Sequence, residues 1–113
     1  MKEQVTFEER VNALMKESEL TYLYASSDLY KTGFKDVARR IERMHIEGLE
    51  EERIIDLIIS LIKENRVVKK VLSFFEQEYL EGYKAAIDNF INLNNREYLE
   101  ERKMIYTSMQ HIL

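Results

Sequence analysis

Carboxylates and histidines are the side chains here whose types and spacing could do chemistry. The 113-residue chain has 21 Asp and Glu, two histidines (His45 and His111) and no cysteine. The missing cysteines exclude thiol nucleophiles, disulfide scaffolds, zinc ribbons and thiolate-held iron–sulfur clusters. Carboxylate–histidine metal binding stays open, because hard oxygen donors with an imidazole suit iron or manganese. Glu17, Glu47, Glu50, Glu51, Glu76 and His111 are the candidate ligands. Residues three apart share a helical face, so Glu47-x-x-Glu50 could present two carboxylates together. The competing reading is a solvated helix face, with Glu47 and Glu51 beside Arg43 and Arg53. His45 and His111 have the same alternative, as half-exposed structural residues. Gly33, Gly48 and Gly82 are isolated, so no phosphate-cradling loop is present. No Gly-x-Ser-x-Gly elbow or nucleophile–base set can be assembled, and no catalytic residue is assigned.

The elements that would position these residues are helical. There is no proline, and three glycines leave few turns for an all-β fold. The apolar period is helical nearly throughout. Thr6-x-x-Glu9 reads as a capping box opening a first helix. Its stripe is Phe7, Val11, Leu14/Met15, Tyr22, Ala25 and Leu29, and Thr32-Gly33 is expected to close it. A second helix carries Val37, Ile41, Met44, Gly48, Ile55, Ile58 and Ile62. The polar interruption Lys63-Glu64-Asn65-Arg66 is expected to turn the chain, with Asn65 capping a third helix; a continuous helix is the alternative. That third helix carries Val68, Leu72, Phe75, Tyr79, Tyr83, Ala86 and Phe90. Asn92 to Asn95 form the last turn, and a short final helix faces Tyr98, Ile105, Met109 and Ile112 inward. The expected fold is one all-α domain over residues 1–113, an antiparallel up-down-up-down four-helix bundle.

The segment Tyr22 to Arg53 carries an aromatic pair (Tyr22, Tyr24), small residues (Ala25, Ser26, Ser27), a Gly-Phe step (Gly33, Phe34) and a second helix rich in Glu and Arg. It resembles the first helical hairpin of the ferritin-like superfamily, nearest the rubrerythrin branch. The resemblance implies a carboxylate-bridged di-iron or di-manganese site, with a Glu from the first helix and Glu-x-x-His from the second. Aligned on Gly33-Phe34, those three positions hold Met15, Gly48 and Glu51, so one ligand-capable residue remains. A slipped register recovers Glu17 and Glu47-x-x-Glu50 but moves them off the apolar stripe. Glu76 precedes Tyr83 by seven, as Glu17 precedes Tyr24, a faint echo in the second half. Arg40 and His45 also have the loose spacing seen in HEPN-type ribonucleases.

Net charge is −4, with 17 Lys and Arg, which disfavours a nucleic-acid module. The strongest apolar run, Leu57 to Ile62, is far short of the roughly 20 residues a membrane helix needs. The start MKEQVTFEER lacks the apolar region of a signal peptide, so a cytoplasmic location is the default expectation. Leu57 to Ile62 and Phe74-Phe75 are apolar nearly all round, which points to self-association as a dimer. Seven tyrosines exceed what one small core hides. Tyrosine suits interfaces, combining apolar area with a polar tip. Tyr24, Tyr30, Leu61, Phe74 and Tyr106 are the candidate surface residues. The leading expectation is a small non-enzymatic interaction or regulatory protein with an unknown protein partner. By analogy of size and charge alone, a compact acidic bundle of this kind would be an inhibitor or adaptor, for example one carried by a phage or mobile element. The alternative is a ferritin-like di-metal protein handling iron or peroxide.

Overall fold

The computed structural model describes residues 4–68 and 74–110, with side chains for all of these except 61, 62, 64–68, 74–76 and 110. Among the described residues the fold is all-α, with no strand. The helices are α1 (Phe7–Tyr24), α2 (Asp28–Ile46), α3 (Glu51–Val68), α4 (Phe74–Asn92) and α5 (Arg96–Gln110). None is long and apolar enough to cross a membrane.

Local chemistry explains where each helix begins and ends. The Thr6–Glu9 capping box forms as expected, with each side chain meeting the other's backbone N–H. The first helix then stops earlier than its stripe suggests. Ala25 is extended, and the Ser27 Oγ accepts the Tyr30 N–H to cap α2. Gly33, expected to close a helix, lies inside α2 instead. The true glycine stop is Gly48, at φ 83°. The Gly48 N–H donates to the His45 carbonyl and the Leu49 N–H to the Met44 carbonyl, the two bonds of a Schellman motif. This splits the expected second helix, because a left-handed residue cannot continue it. The expected turn at Lys63 to Arg66 is absent, and α3 runs through it to Val68. Lys, Glu and Arg are good helix formers, so nothing there stops propagation. The turn after Asn92 is present, and the Asn95 Oδ1 caps α5 by accepting the Tyr98 N–H.

Among the described residues the broadest helix contact joins α2 and α4. It is a backbone-to-backbone crossing. A Cβ on Gly33 would overlap the Tyr79 carbonyl, and one on Gly82 would overlap the Tyr30 carbonyl. Glycine is therefore required at both positions by proximity rather than by dihedral angle. Around the crossing, the Tyr79 hydroxyl donates to Asp36 at 2.6 Å and the Ser27 hydroxyl to Glu78 at 2.5 Å. The core is filled by Leu14, Val37, Ile41, Ile54, Phe90, Leu93 and Leu99. Three expected inward residues face water instead: Gly48, Tyr22 at 65% exposed and Ile105 at 40%.

The fifth helix changes the course of the chain. Glu9 meets Arg96, and eight residues on Glu17 meets Arg102. Both sequences ascend together, so α1 and α5 lie side by side and run the same way. In the expected four-helix arrangement the first and last helices would oppose each other.

Candidate functional site

Among the described residues, two charged side chains lie deep in the molecule: Glu17 and Arg10, each 4% exposed. Glu17 sits on the inner face of α1. The Arg102 guanidinium on α5 donates to both of its carboxylate oxygens, through Nε and through Nη2 at 2.7 Å. The Tyr106 hydroxyl, one helical turn on, donates at 2.7 Å. Burying a carboxylate without such partners is expensive. The hydrogen bond to Glu17 pushes the Arg102 guanidinium above its ordinary pKa. Burial, then the Glu17 hydrogen bond, pushes the Tyr106 phenol above its own. The Arg102 cation and the neutral Tyr106 phenol therefore stay fixed across the physiological range. The set carries structure rather than proton transfer.

Arg10 closes the other end. The last turn of a helix leaves carbonyls without intrahelical donors. At the end of α4, the Asn89, Ile91 and Asn92 carbonyls accept backbone N–H groups of the following turn. The Phe90 carbonyl accepts from Arg10 Nε at 3.3 Å and Nη2 at 2.9 Å. The Arg10 guanidinium lies 4.1 Å over the Phe90 ring and pairs with Glu51 at the start of α3. Phe7 sits edge-on to both Phe90 and His45. Burial lowers the Arg10 pKa from its ordinary value, against the opposing pull of Glu51.

These contacts account for several candidate ligands. Glu17 and Glu51 are each held by an arginine. Glu47 caps the end of α2, and Glu50 starts the turn into α3; both are exposed. The Glu76 side chain and His111 lie outside the described residues. Among the described residues, no three His, Asp or Glu side chains gather around a common point. Sequence reasoning missed Arg10, Arg96 and Arg102 as partners. A usable signal existed: Arg10 and Glu17, seven apart, share the inward face with Leu14. Charges on an apolar stripe point to buried partners elsewhere in the chain.

The surface candidates divide differently. Tyr24 is 67% exposed. Tyr30 is half-buried where its carbonyl meets Gly82, and burial pushes its phenol up. Tyr106 belongs to the core, because its hydroxyl completes the Glu17 set. Leu61 and Phe74 fall within α3 and α4, with their side chains outside the described residues. A groove the sequence did not suggest runs between the second half of α1 and α2, with a volume of about 630 Å³. Met15, Tyr22 and Leu23 contribute its apolar wall, and Lys31, Lys35 and Arg39 its basic edge.

No known family model, no curated protein and no solved structure matches the chain.

Proposed function

We propose that this chain is a small non-enzymatic interaction protein, an inhibitor or adaptor working through its helix faces. The observation that supports it most is the open groove between α1 and α2, next to the exposed run Tyr22, Leu23 and Tyr24. These are three consecutive large side chains with much of their apolar surface in water, and none belongs to the core. Exposed apolar area set against a groove is characteristic of recognition surfaces. The buried charges, by contrast, are spent on mutual neutralisation and helix capping.

Site-directed crosslinking in its native cells tests this reading. A photo-crosslinking residue at Tyr24 is expected to trap a discrete protein partner, lost on Leu23→Glu. The same residue at exposed Thr107 on α5 is expected to trap nothing at that size. Equal trapping at both positions, or none at either, overturns the reading.

The di-metal alternative has less support. A metal at Glu17 would have to displace Arg102 and Tyr106, and one at Glu51 would compete with Arg10. Metal content per chain, measured after purification without chelator and after anaerobic iron loading, is expected to stay well below one equivalent. Stoichiometric iron or manganese lost on Glu47→Ala or Glu51→Ala would reverse this preference.

A further inference from the structure

We infer that the α1–α2 groove receives an acidic amphipathic helix of the partner protein. This rests on the interaction reading above and adds the partner's chemistry. The chain is acidic overall, but α2 is not: it holds Lys31, Lys35, Arg39, Arg40 and Arg43 against Asp28, Asp36 and Glu42. Two of those three acids are already engaged, Asp28 with Lys31 at 3.7 Å and Asp36 with the Tyr79 hydroxyl. Glu19, on the opposite edge of the groove, pairs with Lys16 at 3.8 Å. Lys35 and Arg39 are exposed and form no ion pair among the described residues. The unneutralised charge along the groove is therefore positive.

Spacing selects a helix over a small anion. Lys35 and Arg39, the two cations without an ion pair, are four residues apart, so their stems rise about 6 Å apart along one face of α2. Carboxylates at i and i+4 of a second helix have that same interval. A single fatty-acid or phosphate headgroup would satisfy one cation and leave the other. The apolar wall lies beside this row, and a third helix packs its own apolar stripe into a groove between two others. The surface is concave, which favours a helix over a flat anionic membrane. Charge along the edge sets orientation and encounter rate, and the apolar contact supplies most of the affinity.

A displayed library of helices about 16 residues long, near the length at which isolated helices persist, tests the inference. Leucines are fixed at i, i+3, i+4 and i+7, and the flanking positions vary among Glu, Lys and Gln. Sorted against the folded protein, binders are expected to enrich Glu along one flank. Lys35→Glu/Arg39→Glu is expected to weaken them at least about tenfold, roughly 1.4 kcal/mol, and to gain affinity for the Lys-flanked twin. Neither residue packs in the core, so circular dichroism of the variant is expected to match the parent. Neutral or basic enrichment overturns the inference. So does binding that survives Leu23→Glu, or no enrichment at all. Dodecanoate or phosphatidylserine vesicles competing for the groove better than any acidic helix also overturns it, as does a dimer broken by Lys35→Glu/Arg39→Glu. A partner trapped at Tyr24 together with a failed charge swap would sink this inference alone and leave the interaction reading standing.

Discussion

Taking the Glu17 carboxylate out of water requires a cation, and this chain supplies one from 85 residues away. Such a set contributes less through attraction than through the penalty of breaking it. Arg102→Met leaves a buried carboxylate with only a phenol, and a loss of about 3 kcal/mol is expected in urea unfolding. Glu17→Leu/Arg102→Met/Tyr106→Phe removes the whole set for apolar groups of similar size. It is expected to recover most of that loss, because no buried polar group is stranded. A triple variant as unstable as the single one would show that packing, not charge, holds the site. Arg10 follows the same logic with a neutral acceptor. Arg10→Met strands the Phe90 carbonyl and is expected to cost about 1–3 kcal/mol. Glu9 adds a pH dependence on the solvent side. Its hydrogen bond from Arg96, then that from the Thr6 backbone, lowers its pKa to about 2 from an ordinary 4.5. A depressed folded pKa means stability that is present above the unfolded value and lost as pH falls through the folded one. Melting temperature should therefore decline between about pH 4.5 and 2. Glu9→Gln should flatten the curve in that window; an unchanged slope would assign the decline to other carboxylates.

The three glycines play two different parts at the scale of the helices, and substitution separates them. Gly48 has open space around it but a positive φ. Gly48→Ala therefore carries only conformational strain, about 1–2 kcal/mol, and Gly48→Asn less. Gly33 and Gly82 have ordinary helical backbones but no room, because carbonyl oxygens of the facing helix sit where a Cβ would go. Backbone cannot move aside as a flexible side chain can, so Gly33→Ala or Gly82→Ala is expected to cost about 3 kcal/mol or more. Thermal melts of the three alanine variants rank them. Gly48 as the most sensitive would mean that the α2–α4 crossing can open freely. These glycines also mark what the sequence could and could not disclose. Helical periodicity made the fold class legible, and Thr6-x-x-Glu9 and the asparagine turn made two boundaries legible. Gly33 and Gly48 invited opposite assignments, because a lone glycine looks the same whether it ends a helix or admits a neighbour. The neighbour, Tyr79, is 46 residues away, and that pairing exists only in three dimensions. Ser27 was legible in principle as a cap before acidic Asp28, but its small neighbours read equally well as helix interior. The groove was not legible for the same reason as the crossing: Leu23 and Arg39 come to line one groove only after the chain folds back at Ser27.

On the scale of the whole molecule, charged pairs decide which helices behave as one unit. α5 joins the chain covalently to α4, but its charged contacts run to α1: Arg96 with Glu9 and Arg102 with Glu17. Arg10 then ties α1 to the end of α4 and the start of α3. The α2–α4 crossing depends on none of these pairs; it rests on apolar burial, the two glycines and the Tyr79–Asp36 and Ser27–Glu78 hydrogen bonds. The α1–α5 contact is thus latched by ions and the α2–α4 contact by close backbone approach, while α1 also packs broadly along α2. Local openings of native proteins tend to follow such units. Hydrogen exchange on Arg102→Met should therefore lose protection in α5 and α1 together, while amides of α2 and α4 near Gly33 and Gly82 stay protected. Loss confined to α5 would make that helix a simple appendage. Loss spread evenly over all helices would mean that the molecule opens only globally. The joint pattern would also bear on binding, because α1 supplies one wall of the groove. Weakening α5 should then lower affinity for the groove's occupant without altering any residue that touches it.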